Sequence, residues 1–136
     1  MSEYNTLEKR IEFVEKFRQE LVSQFAVQTY QVWIFGSFLT EEYNSSSDID
    51  IGVYCDDSHM LMDIYEFIDN YMSLHALEHD IVIVEFIKSH YINIPIIMNG
   101  KALTEYEPDN WLEYMTEMIS TWGTNPMVTL LERSKV

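Results

Sequence analysis

The 136-residue chain predicts an α/β fold of the α+β type: a small mixed sheet of three to five strands with helices on one face. Three observations carry this reading. Residues 6–26 and 59–77 repeat apolar side chains every three to four positions. Residues 29–35, 48–54 and 80–86 are short runs rich in β-branched and aromatic residues. Their order is helix, strand, strand, helix, strand, in a chain long enough for one core.

The first helix places Leu7, Ile11, Val14, Phe17 or Arg18, Leu21 and Phe25 on one side, with Thr6 or Asn5 as N-cap. TYQVWIF (29–35) is a strand that stops at Gly36. TEEYNSSS (40–47) is polar and turn-rich, hence a loop. DIDIGVY (48–54) alternates and forms the second strand, broken by Cys55-Asp56-Asp57-Ser58. The second helix shows Met60 or Leu61, Ile64, Phe67 or Ile68, Tyr71, Leu74 and Leu77 on one face. DIVIVEF (80–86) is almost continuously apolar, the pattern of a central strand. Beyond it, Pro95 forbids a long helix, Asn99-Gly100 marks a turn, and Ala102-Leu103 reads as a short edge strand. Helices over 108–121, with Trp111, Met115 and Met118 or Ile119 on one face, and over 127–134 close a single domain spanning 1–136.

Net charge is −15, from 8 basic and 23 acidic residues. Such a surface disfavours non-specific contact with nucleic acid or anionic membrane. It suits a basic protein partner, or an acidic site filled by cations. The lone cysteine, Cys55, offers no internal disulfide. The acidic N-terminal stretch is unlike a signal peptide, and no apolar run approaches bilayer length. A soluble cytoplasmic protein is expected.

One segment carries chemistry: Gly36-Ser37, ten residues FLTEEYNSSS, then Asp48-Ile49-Asp50. Side chains alternate along a strand, so Asp48 and Asp50 share one face while Ile49, Ile51 and Val53 line the core. Two adjacent carboxylates repel, and desolvation worsens this unless a cation sits between them. Mg²⁺ takes oxygen ligands, commonly one or two carboxylates plus substrate phosphates. Gly36 lets the backbone turn sharply, and the N–H groups around Ser37, with its hydroxyl, can cradle phosphate. Asp80, opening the strand DIVIVEF, is the candidate third carboxylate. The Gly-Ser and Asp-x-Asp combination at fixed spacing arises by chance on the order of once in a thousand.

These residues resemble the nucleotidyltransferase superfamily that includes DNA polymerase β, and within it the minimal nucleotidyltransferases (MNT). The likeness covers about residues 7–104, with an apolar stretch and glycine turn in IPIIMNGKAL. It implies the nucleotidyltransferase fold, Asp48, Asp50 and Asp80 as ligands of Mg²⁺ (two ions), with Asp80 helping to deprotonate the acceptor. It also implies Gly36 and Ser37 on the phosphates of ATP. Proteins of this kind pair with HEPN-domain RNase toxins. There the MNT partner is the antitoxin and moves AMP from ATP to a toxin tyrosine. Many relatives carry Arg soon after Gly-Ser, whereas this chain has Phe38-Leu39-Thr40-Glu41-Glu42; Lys88, Lys101 or a partner would supply the charge. An oligomer is compatible with this.

Two other functions fit the same residues. One is transfer to a small acceptor such as an aminoglycoside. The other is a partner-binding antitoxin with an idle site. His59, His75, His79 and His90 lack convincing metal spacing and read as surface or packing residues. Tyr30, Tyr43 and Tyr54, near the site in sequence, are candidates to stack on a base and equally read as structural aromatics.

Overall fold

A computed structural model describes residues 4–27, 29–44, 46–85 and 99–106, together with positions 93, 96, 97, 113 and 116. The helix expected over 108–121, apart from positions 113 and 116, the helix expected over 127–134, and Lys88, His90 and Pro95 lie outside the described residues.

Helix α1 runs Leu7–Gln24, and the Thr6 side chain accepts the Lys9 N–H at its start. It buries Phe13, Val14, Phe17 and Leu21. The buried stripe is turned from the expected one. Ile11 is 47% exposed, and Arg10 takes an inward position instead. Strand β1 (Tyr30–Phe35) is antiparallel to β2 (Ile49–Cys55), with Ile34 opposite Ile51 and Phe35 opposite Asp50. Helix α2 covers Ser58–Leu74, and the Asp57 carboxylate caps it by accepting from the His59 and Met60 N–H groups. Its inner face is Ile64, Ile68 and Met72, a four-residue spacing, so Leu74 falls outward at 84% exposure, contrary to expectation.

The chain then turns back through a two-bond cap. Leu77 N–H reaches Met72 O and Ala76 N–H reaches Ser73 O, with Ala76 at φ 57°. This aims β3 (His79–Ile83) alongside β2, in parallel. The two-residue β4 (Lys101–Ala102) adds antiparallel to β1, giving the order β3-β2-β1-β4. The mixed sheet is thus as expected, but β3 is an edge strand in this order and not central. Its near-continuous apolar run has another cause. α2 covers one face, and Val82 and Val84 serve a second cluster on the other.

Both helices pack on one face of the sheet. There Tyr30, Val32, Ile34, Ile49, Ile51 and Val53 meet Phe13, Phe17, Leu21, Ile64, Ile68 and Met72 in one core. Each such side chain, fully buried, contributes about 1.5–3 kcal/mol. On the opposite face Trp33, Val84 and Ile96 form a smaller cluster. Gly52 permits that contact, since a Cβ there would come within 2.5 Å of Ile96 Cγ2. Among the described residues no helix is long and apolar enough to cross a membrane.

Candidate active site

Alternation in β2 sends Ile49 and Ile51 into the core and Asp50 to the opposite face. Register then fixes its neighbours. Phe35 lies across from it on β1, and Asp80 lies across from it on β3. Asp50 is half-buried and Asp80 is exposed. Burial pushes the Asp50 carboxyl above its ordinary range, and the charges of Asp80 and then Asp48 add to the rise. Asp48 precedes β2 and is exposed. The structure therefore sets Asp50 and Asp80 side by side, with Asp48 near enough to act on Asp50.

Gly36 follows β1 directly and sits at φ 75°, a region that favours glycine. A Cβ on it would overlap the Asp50 Oδ2, so the Gly-Ser turn and the carboxylate are in immediate contact distance. The turn is closed by Ser37 O, which accepts from the Thr40 N–H at 2.9 Å and the Thr40 hydroxyl at 2.8 Å. Phe38 is fully buried, edge-on to Tyr43 and Phe13, and ties the turn to the core. Ser37 itself is half-buried. The Gly-Ser turn thus lies directly beside the Asp50 and Asp80 carboxylates.

Among the described residues no three His, Cys, Asp or Glu side chains form a ready-made metal cage. The donors present nevertheless fit Mg²⁺. They are hard oxygens, two of them paired in register and mutually repelling, and the remaining ligands normally come from water and substrate phosphates.

Other expected residues fall elsewhere. The Lys101 charge acts on Glu15 of α1, while Lys88 lies outside the described residues. Tyr30 is fully buried and donates to Phe25 O at 2.7 Å, and the Tyr54 hydroxyl donates to Asp56 at 2.5 Å. Of the three tyrosines expected near the site, Tyr43 is the one beside it; its hydroxyl is held up first by burial, then by Asp48, against the lowering effect of Arg10. His75 packs against Phe13 and Tyr71. His79 contacts Leu77 O at 2.9 Å and Asp69 at 2.6 Å. Neither this His–Asp pair beside Asp80 nor the buried Arg10 was anticipated. The signal for Arg10 was a cation three residues after Leu7 and four before Val14, at helical spacing within the apolar stripe.

The family described as "Polymerase beta, Nucleotidyltransferase" matches residues 6–109. No curated protein matches the chain. Among solved structures, a doubly substituted MntA toxin–antitoxin complex is similar at TM-score 0.58 and 18% identity, over 79% of this chain and 86% of that one. A toxin–antitoxin complex with AMP-PNP is similar at TM-score 0.53 and 21% identity, over 76% and 82%. A protein from Shewanella oneidensis is similar at TM-score 0.52 and 19% identity, over 81% and 84%. At these identities the likeness is one of fold.

Proposed function

The chain belongs to the polymerase β nucleotidyltransferase family, and from that membership we propose that it transfers AMP from ATP to a hydroxyl. The acceptor in this reading is a tyrosine of a HEPN-type RNase toxin, for which the chain is the antitoxin. The observation that carries it is Asp50 in register with Asp80, directly against the Gly36 turn. The resemblance in fold to toxin–antitoxin structures, one of them with AMP-PNP, supports the donor and the partner class.

In this reading Asp50 and Asp80, with Asp48, hold Mg²⁺, and Gly36 and Ser37 hold the β- and γ-phosphates of ATP. Bound there, the metal would offset charge on the phosphate oxygens and on the acceptor oxygen. The turn orients the triphosphate so that its α-phosphorus faces the acidic pair. The acceptor oxygen forms a bond to that phosphorus as the bond to the bridging oxygen breaks, and pyrophosphate leaves. Asp80, the more exposed carboxylate, takes the acceptor proton. The acidic surface suits a basic RNA-cleaving partner.

The test is the intact mass of the neighbouring gene product, co-expressed with this chain. A gain of one or more AMP units with the wild type, and none with the Asp48→Asn/Asp50→Asn variant, is expected. A stable complex with no mass gain in either case would refute transfer and favour the idle binding module. Protection against an aminoglycoside by this chain alone would favour a small acceptor.

A further inference from the structure

Arg10 is 3% exposed, in a chain with eight cationic side chains and a net charge of −15. A buried guanidinium is costly unless its donors are met. Here three backbone carbonyls meet them. Nε donates to Phe38 O at 2.7 Å, one terminal nitrogen to Thr40 O at 2.8 Å, and the other to Tyr4 O at 2.8 Å. The guanidinium also lies 4.9 Å from the Tyr43 ring centroid, and Tyr43 in turn senses Asp48. Helix α1 therefore reaches through the core to the segment that joins the Gly-Ser turn to Asp48.

Peptide planarity gives this contact a direction. In a trans peptide the C=O and the following N–H point opposite ways. With the carbonyls of Phe38 and Thr40 drawn onto Arg10, the N–H groups of Leu39 and Glu41 are turned away from it. The turn also receives a full positive charge behind it, though no cation occurs in the loop FLTEE itself.

We propose that Arg10 is a positioning residue for donor binding. It fixes the peptide orientation of residues 38–41, and the peptide dipoles it orients, with its own charge acting through space, make the turn a receptor for the anionic triphosphate. This rests on the nucleotidyltransferase reading above. It assigns to α1 the electrostatic duty that a loop cation would otherwise perform. Arg10 does so without touching the nucleotide, since it is buried and each of its three nitrogens already donates to a backbone oxygen.

The test uses the full chain with Mg²⁺ and a non-hydrolysable ATP analogue. Calorimetric affinity is compared for wild type, Arg10→Lys and Arg10→Met, well below each melting temperature. Arg10→Met is expected to weaken binding at least tenfold. Arg10→Lys, which keeps the charge and loses the fork, is expected to weaken it about threefold. In turnover assays the loss should fall on KM for ATP, with kcat within threefold. Should Arg10→Met not fold, Arg10→Lys and Tyr43→Leu still carry the comparison, because each loosens the same contact. Equal affinity in all variants, with only melting temperature lowered, overturns the assignment and leaves the nucleotidyltransferase reading standing. A wild type that binds no analogue overturns both.

Discussion

Replacing Asp50 by Asn should make the nucleotide-free protein more stable and the enzyme inactive. Register neighbours on parallel strands lie about 4.8 Å apart. Two unit charges near that separation repel by about 0.9 kcal/mol in water and about 3.5 kcal/mol at an effective dielectric near 20. Asp80 is exposed, so the lower figure applies, and burial of Asp50 adds to it. No hydrogen-bond donor to Asp50 among the described residues offsets the strain. We expect a gain of about 1 kcal/mol, or about 3–5 °C in melting temperature for a chain of this length. The dependence on pH follows from linkage. The folded protein holds the Asp50 proton more tightly than the unfolded chain does. Its contribution is therefore full below the unfolded carboxylate pKa and is lost as pH rises through the higher folded value. At pH 7 the wild type bears the whole penalty, and Asp50→Asn bears none. Ligand then reverses the order. Mg²⁺ with an ATP analogue at ten times its Kd stabilises the wild type by about 1.4 kcal/mol and the variant by much less. Differential scanning fluorimetry at pH 7, with and without ligand, checks both signs. A variant less stable than wild type without ligand, or equally shifted by ligand, refutes this account of the acidic pair.

Gly36→Ala places a Cβ against the Asp50 carboxylate at a positive φ, and should cost about 1–2 kcal/mol in urea denaturation and reduce transfer more than tenfold. Ala76→Gly relieves the left-handed residue that ends α2, at φ 57°, and should raise stability by about 0.5–1 kcal/mol with unchanged activity. Burial tends to lower the His79 pKa, but the Leu77 carbonyl, Asp69 and Glu78 together outweigh it, and the net shift is upward. That stabilisation is full below the unfolded pKa and fades as pH rises through the folded one. Asp69→Asn should therefore cost up to about 1 kcal/mol at pH 5.5 and less at pH 8, read from thermal melts at the two pH values.

The sequence made the sheet and its carboxylates legible because both are local patterns. DIDIGVY alternates, so the facing of Asp50 and Ile51 follows from the pleat alone. Thr6, one of the two caps read from the sequence, stands before α1 as the N-cap; the Asp57 cap of α2 is seen only in the structure. What escaped depends on long-range placement. The position of β3 at the edge is set by how the chain returns after Ala76, which no periodicity encodes. Ile11 and Leu74 read as inward because each fits an apolar stripe, whereas the packed faces centre on Phe17 and on Ile64-Ile68-Met72. Arg10 was overlooked because its partners are carbonyls 28 and 30 residues away, at Phe38 and Thr40.

Under the proposed function, three features of the arrangement favour transfer over an idle binding module. A surface that only covers a partner gains nothing from Asp50 set beside Asp80. Either acid could become Asn with a gain in stability and little change in shape. A basic partner would neutralise such acids, but it would not require Gly36 at a left-handed φ in contact distance of one of them, nor a guanidinium buried behind the turn. Each of these three features is locally unfavourable: like charges paired, a backbone only glycine tolerates well, a cation removed from water. Phosphate and cation together relieve the first and use the other two. A transfer site, as proposed, would account for all of them at once, whereas partner covering accounts at most for the negative charge.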